Sequence, residues 1–156
     1  MLKTDHLIKL LLLSNGIILL TVYYIEYIMG IYACNLCKFQ RIPFFVNIVI
    51  LTVLTFNKTK FIKLIYVLIL SIIVNICISF YHVGIEQSFF TSTKTCKESQ
   101  TPSNKEDLLK QLKKKGVSDC SKVEFTLFGL SLSTLNFVTN IVFLGICVQI
   151  LRYEKK

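Results

Sequence analysis

Four long stretches without a charged residue dominate this sequence of 156 amino acids. They are Leu10 to Ile25, Ile42 to Asn57, Leu64 to Ile85 and Phe125 to Leu151. A helix needs about 20 mainly apolar residues to cross a bilayer core about 30 Å thick. Inside that core a chain must satisfy its own backbone hydrogen bonds, which favours helices. We therefore predict an all-α membrane protein, a bundle of four transmembrane helices.

The predicted architecture is a single membrane domain over residues 1–156, in which the helices run alternately up and down. The transmembrane helices are expected at 7–28, 37–56, 62–84 and 129–151. On one side of the membrane lie loops 29–36 and 85–128. On the other side lie loop 57–61 and both termini.

The composition agrees with this fold class and argues against others. Hydrophobic residues make up 53% of the chain and charged residues 17%, against about 25% charged in a soluble domain. The net charge of +9 comes from lysines that flank the apolar runs, without the interleaved aromatics of a nucleic-acid surface. We expect a lipid bilayer as the surroundings and no nucleic acid as a partner. The first run is long for the core of a signal peptide and is expected to be retained.

Charge does not decide which side of the membrane faces the cytoplasm. Lysine and arginine number eight on the side of the termini and ten on the side of the other two loops. The positive-inside rule gives most weight to charges near helix ends, and Lys58, Lys60 and Lys63 crowd the ends of two helices. This favours both termini in the cytoplasm, but the count alone leaves the orientation open.

The large loop contains the signals of a short helix. Ser103 and Glu106 have the spacing of a capping box, and Gly116 follows a run of lysines as a stop. Three leucines between them have helical spacing, so we predict an amphipathic helix. It is expected either on the membrane surface or packed against the loop, and the sequence does not choose between these.

Six cysteines are the residues with the clearest chemistry. Cys34 and Cys37 form a C-x-x-C motif, and two more cysteines, Cys96 and Cys120, lie in the large loop. The four-helix topology places both pairs on one side of the membrane, so a disulfide could pass between them. Cys77 and Cys147 fall inside apolar runs and are expected to be buried structural thiols.

The C-x-x-C motif is expected at the start of the second helix. If that helix began at Pro43, its 14 or so residues would span only about 21 Å, too short for the bilayer core. A start near Asn35 to Lys38 puts Cys37 at a helix N-terminus, where unpaired amides favour a thiolate. Arg41 lies one turn further on the same face. There it could hold a polar ligand, although from the residues alone an interface anchor is the more ordinary role for such an arginine.

A metal site is not expected from the spacing of these residues. Zinc sites usually combine a C-x-x-C with a second close pair of cysteine or histidine ligands. Cys96 and Cys120 are 24 positions apart, and only His82 is predicted near the C-x-x-C. The sequence also lacks a phosphate-binding loop, a Ser/His/Asp set and a paired-carboxylate site.

The C-x-x-C and its surroundings resemble a known signature. Residues 34–43 read CNLCKFQRIP, which is similar to the C-x-L-C-x-x-Q-R-x-P signature of the bacterial disulfide bond formation protein B (DsbB) family. The stretches YHVGIE at 81–86 and LFGLS at 127–131 look like the end of the third helix and the approach to the fourth in that family. The order of the cysteine pairs and the loop sizes agree over nearly the whole chain.

The resemblance implies a thiol:quinone oxidoreductase of the bacterial inner membrane, with both termini in the cytoplasm and both cysteine loops in the periplasm. Such an enzyme reoxidises a soluble DsbA-like thiol oxidase and passes the electrons to a membrane quinone, ubiquinone or menaquinone. No metal is implied. By similarity, reduced partner attacks Cys96, Cys120 is the resolving cysteine, and Cys120 then exchanges with Cys34.

The quinone site is also implied by similarity. Cys37 would face the quinone ring, Arg41 would hold a ring oxygen, and His82 would line the same pocket. Ala33 stands where the family often has proline, and Phe125 where many members have tryptophan. These two departures leave open how the soluble partner binds and which quinone is preferred. They remove no reacting group.

Three other interpretations remain open at this point. The vitamin K epoxide reductase family shares the chemistry, but its C-x-x-C follows the loop pair, whereas here the C-x-x-C comes first. A metal-binding or metal-transport membrane protein would use the C-x-x-C as ligands. A non-catalytic membrane assembly protein would carry four cysteines as static disulfides.

Overall fold

Four long helices account for most of the chain in the computed structural model, which describes residues 2–31, 33–56, 61–90, 126–127 and 129–154. The helices are α1 (Leu2–Tyr27), α2 (Asn35–Phe56), α3 (Phe61–Glu86) and α4 (Leu132–Glu154). Each of them is long and apolar enough to cross a membrane. The predicted four-helix membrane fold is therefore confirmed. The helix predicted in the large loop lies outside the described residues.

The start of α4 differs from the sequence-based prediction. The helix begins at Leu132 and not at 129, because two short strands precede it, β1 (Thr126–Leu127) and β2 (Leu130–Ser131). They pair antiparallel, and Gly129 in their turn has a φ of 78°, which glycine adopts without steric cost. The Ser131 hydroxyl accepts the amide hydrogen of Thr134 at 3.2 Å, an N-cap that fixes where the helix starts.

The helices pack as a ring around one apolar core. In this ring α1 contacts α2, α2 contacts α3, α3 contacts α4, and α4 also contacts α1. Each helix contributes side chains to the core, among them Leu11, Leu51, Leu68 and Cys147, which are at most 2% exposed. Cys147 is thus buried, as predicted.

The outer surface of the bundle is apolar, as expected for a protein surrounded by lipid. Leu20, Val49 and Leu70 are 63–72% exposed although they are strongly hydrophobic. Cys77 lies on this outer surface of α3 and is exposed, so the prediction that it is buried is wrong. The reason is physical: a helix that is apolar on all sides gives no sequence signal of which face turns inward.

Polar side chains are found inside the bundle instead. Four asparagines are at most 1% exposed: Asn15, Asn47, Asn75 and Asn140. Asn75 donates to the Asn140 side-chain oxygen at 3.2 Å, and Asn136 donates to the Ser79 hydroxyl at 2.9 Å. Because lipid offers no partner for such groups, these bonds tie α3 to α4 within the membrane.

Removal of one of these asparagines tests their contribution. We expect Asn140→Ala to lower the free energy of unfolding by about 1–2 kcal/mol, since it deletes a bond between helices and leaves Asn75 unsatisfied. Thr139→Ala is the matched control, because the Thr139 hydroxyl donates to the Leu135 carbonyl within its own helix. Unfolding in detergent micelles measures both, and equal losses would contradict a special role for the asparagine pair.

The alternating direction of the helices brings four chain segments to one end of the bundle. These are the end of α1, the start of α2, the end of α3 and the hairpin before α4. We call this end, which carries Cys34 and Cys37, the cysteine end. Gly30, at φ 71°, ends α1 there, with the Ile31 amide bonded back to the Ile25 carbonyl.

Phe90 packs against the end of α3 at the cysteine end. Its ring stacks on Tyr81, with ring centroids 5.8 Å apart, and lies so close to Gly84 that an added Cβ there would clash with a ring carbon. The Phe89 and Phe90 amides both bond to the Gly84 carbonyl. Gly84 therefore lets the chain fold back onto the helix as it leaves α3.

Candidate functional site

Cys34 and Cys37 lie at the first turn of α2, as the sequence predicted. Cys34 immediately precedes the helix, and its sulfur accepts the amide hydrogen of Cys37 at 3.3 Å. The two sulfurs are 3.0 Å apart. Cys34 is 4% exposed, whereas Cys37 is half-buried. The positive end of the helix therefore acts most directly on Cys34, and Cys37 is the more exposed of the two residues.

His82 of α3 completes a cluster with the cysteine pair. Its Nε2 lies 3.5 Å from the Cys34 sulfur, and its Nδ1 lies 3.3 Å from the side-chain nitrogen of Gln40. The ring is only 2% exposed. One ring nitrogen therefore faces Cys34, directly before α2, and the other faces Gln40 within α2.

Glu86 extends this polar cluster to α4. One carboxylate oxygen lies 3.6 Å from His82 Nε2, and the other accepts hydrogen bonds from the hydroxyls of Ser131, at 2.6 Å, and Ser133. The carboxylate thus lies at the N-terminus of α4, where the helix dipole favours a negative charge. A continuous series of polar contacts runs from Cys34 through His82 to Glu86.

Arg41 lies one turn after Cys37 and is turned into the protein. It donates to the carboxylate of Glu26 in α1, and its guanidinium lies over the Tyr23 ring at 4.9 Å from the ring centroid. Only 9% of Arg41 is exposed. An interface anchor would extend toward water, so the burial and the pairing argue against that role.

One donor of Arg41 is left over in this arrangement. Its Nε–H is buried and has no hydrogen-bond acceptor in the described part of the chain. A buried unsatisfied donor on a charged group is costly, so an acceptor oxygen from a ligand would be favourable here. A quinone carbonyl has the required chemistry, and the residues present therefore fit the quinone that the resemblance implies.

The predicted site residues are placed as follows. Cys34, Cys37 and His82 come together, with ligand atoms within 4.8 Å of one another, and Arg41 lies on the next turn of α2. The predicted second pair, Cys96 and Cys120, lies outside the described residues. Three further residues contact this site and were not predicted from the sequence to do so: Glu26, Gln40 and Glu86. Glu26 had one usable signal, because an acid inside an apolar helix usually has a partner.

Comparison with known proteins now decides the family. Residues 4–150 match the family model described as disulfide bond formation protein DsbB. The chain belongs to the DsbB family. Membership makes it a multi-pass protein of the bacterial inner membrane and a thiol–disulfide oxidoreductase, and it confirms the resemblance seen in the signature around Cys34.

A curated relative has a comparable length. The uncharacterized protein RP370 of Rickettsia prowazekii (strain Madrid E) is 29% identical over 154 residues, which cover 95% of this chain and 88% of the relative. No solved structure matches the chain. The placement of the DsbB-family signature within the bundle therefore rests on the geometry described above.

Proposed function

We propose that this protein reoxidises a soluble periplasmic DsbA-like thiol oxidase and passes the electrons to a membrane quinone, ubiquinone or menaquinone. The observation that carries the proposal is the pairing of two adjacent sulfurs with a buried arginine one turn away. The sulfurs of Cys34 and Cys37 are 3.0 Å apart at a helix N-terminus, and the Arg41 Nε–H has no acceptor among the described residues. This arrangement suits a dithiol that delivers electrons to an acceptor with a polar oxygen.

The proposed orientation has both termini in the cytoplasm and loops 29–36 and 85–128 in the periplasm. This puts the cysteine end on the periplasmic side, where a soluble thiol oxidase reaches it. The DsbB family membership and the lysines at loop 57–61 support this choice. Labelling of single-cysteine variants in intact cells with a membrane-impermeant maleimide tests the orientation.

The proposed disulfide exchange proceeds through two cysteine pairs. The reduced partner attacks Cys96 of a Cys96–Cys120 disulfide and releases the Cys120 thiolate, and the partner's second thiolate then displaces Cys96 from the mixed disulfide. The Cys96–Cys120 dithiol is then reoxidised by the Cys34–Cys37 disulfide: Cys120 attacks Cys34 and releases the Cys37 thiolate, and Cys96 then attacks Cys120 and releases the Cys34 thiolate. Each exchange conserves two electrons, so the dithiol ends at Cys34–Cys37.

The geometry around Cys34 supports its role in exchange. When Cys96 displaces Cys34 from its bond to Cys120, negative charge develops on the Cys34 sulfur, and the Cys37 amide at 3.3 Å and His82 Nε2 at 3.5 Å both lie against that sulfur. Hydrogen bonds to a thiolate stabilise it and make it a better leaving group. Gln40 and Glu86 hold the imidazole in place from either side.

Arg41 and Cys37 are the residues proposed to hold the quinone. Arg41 would bind a carbonyl oxygen with its unsatisfied Nε–H, while Glu26 and Tyr23 fix its guanidinium. Cys37, as the more exposed sulfur, would face the ring. A bound quinone would accept two electrons and two protons and carry them into the membrane, which thiols alone cannot do.

Turnover with purified protein tests the proposal. A reduced thioredoxin-like dithiol protein and a short-chain quinone are added to the enzyme in micelles, and quinone absorbance is followed without oxygen. We expect many quinones reduced per enzyme, in proportion to the dithiol consumed. Disulfide exchange with no quinone reduced, for either ubiquinone or menaquinone, would defeat the proposed acceptor. A protein whose cysteines do not exchange at all would instead be a non-catalytic assembly protein.

A further inference from the structure

The reduced cysteine pair and His82 have the composition of a three-ligand metal site. Two thiols and one imidazole present their ligand atoms within 4.8 Å of one another. We propose that the reduced Cys34–Cys37 dithiol and His82 bind one Zn²⁺ ion, and that formation of the disulfide prevents this binding. Spacing in the sequence argued against a metal because the C-x-x-C lacks a second close pair, but folding supplies a ligand from 45 or more positions away.

The distances suit tetrahedral zinc. With Zn–S bonds of about 2.3 Å and Zn–N bonds of about 2.0 Å, ligand atoms lie about 3.5–3.8 Å apart around the ion. The observed separations are 3.0 Å between the sulfurs and 3.5 Å between Cys34 sulfur and His82 Nε2. The Cys37 sulfur and the His82 ring nitrogen lie within 4.8 Å of each other. Shifts of about 1 Å, within the reach of side-chain rotation, therefore give the coordination geometry.

The groups around the ligands support this coordination. A metal on His82 Nε2 requires that Nδ1 carry the proton and donate it to an acceptor. The Gln40 side chain lies at 3.3 Å from Nδ1, and rotation of its amide by half a turn presents oxygen there. The Glu86 carboxylate lies 3.6 Å from Nε2 and adds negative charge beside a cation.

The charges and access also favour a divalent cation. Two thiolates neutralise Zn²⁺, and the positive charge of Arg41 is already paired with Glu26. Cys34 and His82 are nearly inaccessible, while Cys37 is half-buried, so the ion would enter on the Cys37 side. With three protein ligands, the fourth position would be left for water, as in zinc sites that remain open.

Binding releases two thiol protons and moves no electrons. The disulfide form has lost two electrons and two protons and offers no thiolate to a metal. The ion and the disulfide therefore exclude each other at Cys34 and Cys37. Metal binding itself is independent of the proposed function, whereas its consequence, inhibition of quinone-linked turnover by Zn²⁺, rests on that function.

The test uses full-length protein with Cys96→Ser and Cys120→Ser, so that the loop cysteines contribute no ligands. Reduced protein is loaded with Zn²⁺ without oxygen, desalted and analysed for metal, and Co²⁺ is used in parallel for its thiolate-to-cobalt absorption. We expect one ion per chain and the absorption of a tetrahedral site with two thiolates. Prior oxidation with diamide takes two electrons and two protons from the dithiol. It should abolish both the bound ion and the absorption of the cobalt site.

Variants assign the ligands. Cys37→Ser and His82→Gln should each lose the stoichiometric ion, and Gln40→Leu should weaken the affinity by about 10-fold to 100-fold. Cys77→Ser is the control and should retain one ion, because Cys77 lies on the outer surface of α3. The proposal is overturned if reduced protein retains no metal, or if Cys37→Ser or oxidised protein retains as much.

The two proposals fail in distinguishable ways. Turnover is measured on protein with all six cysteines and does not enter the metal measurement. A protein that turns over quinone but binds no Zn²⁺ disproves only the metal site. A protein that binds Zn²⁺ through Cys37 and His82 but reduces no quinone disproves the proposed function and leaves the metal site standing.

Discussion

Cys37→Ser is expected to lower the rate of quinone reduction at least about 1000-fold, to the background of the assay. Serine has nearly the shape of cysteine but forms no disulfide and is hardly ionised near neutral pH, so the chain loses its last electron carrier. The measurement is the anaerobic turnover assay with a reduced dithiol protein and quinone. Because Cys37 is half-buried at the surface of α2, the variant should fold with normal stability.

The matched control for this variant is Cys77→Ser. Cys77 is an exposed thiol on the outer surface of α3 and has no part in the proposed electron path. Its replacement should therefore leave turnover unchanged. Equal loss in the two variants would indicate damage to the fold. Normal turnover of Cys37→Ser would remove the C-x-x-C from the electron path and with it the proposed mechanism.

Arg41→Ala is expected to raise the quinone concentration for half-maximal turnover by about 10-fold to 100-fold, with a smaller effect on kcat. The reason is loss of a charged hydrogen bond to the quinone oxygen, typically worth about 1.5–3 kcal/mol. Binding is measured separately as the quinone retained by the purified protein. Lys38→Ala is the control, because Lys38 is a cation at the same helix end but is exposed.

Glu26 is a positioning residue for Arg41, and its replacement is a second, independent test of the proposed quinone site. Glu26→Gln keeps the shape of the side chain but removes the charge that holds the guanidinium. We expect weaker quinone retention than in the native protein and no further loss when Glu26→Gln is added to Arg41→Ala. If the two losses were additive, Glu26 would act by some route other than Arg41.

Much of the fold was predictable because the membrane imposes strict requirements. Uncharged runs such as Leu64 to Ile85 have few alternatives to a transmembrane helix, and α3 covers that run. The start of α2 followed from the length needed to cross the bilayer. The hairpin before α4 was not predictable by this argument, because two-residue strands depend on local turn geometry at Gly129 and on the cap at Ser131.

The site was predictable only in part. The position of Cys34 and Cys37 at a helix N-terminus followed from local sequence, and the proposed contact of Arg41 with quinone came from the resemblance. The contact between Cys34 and His82 joins residues 48 positions apart and depends on how α2 packs against α3. The partnership of Glu26 with Arg41 likewise needs the relative rotation of α1 and α2, which apolar helices do not encode in a visible pattern.

The central claim is that the Cys34–Cys37 dithiol delivers its electrons to quinone. The most direct measurement uses the Cys96→Ser/Cys120→Ser protein, reduced and without a soluble partner, and counts its thiols by mass spectrometry after anaerobic addition of quinone. The account predicts that two thiols, at Cys34 and Cys37, are lost for each quinone reduced. If both thiols remain while quinone is present in excess, the account is contradicted.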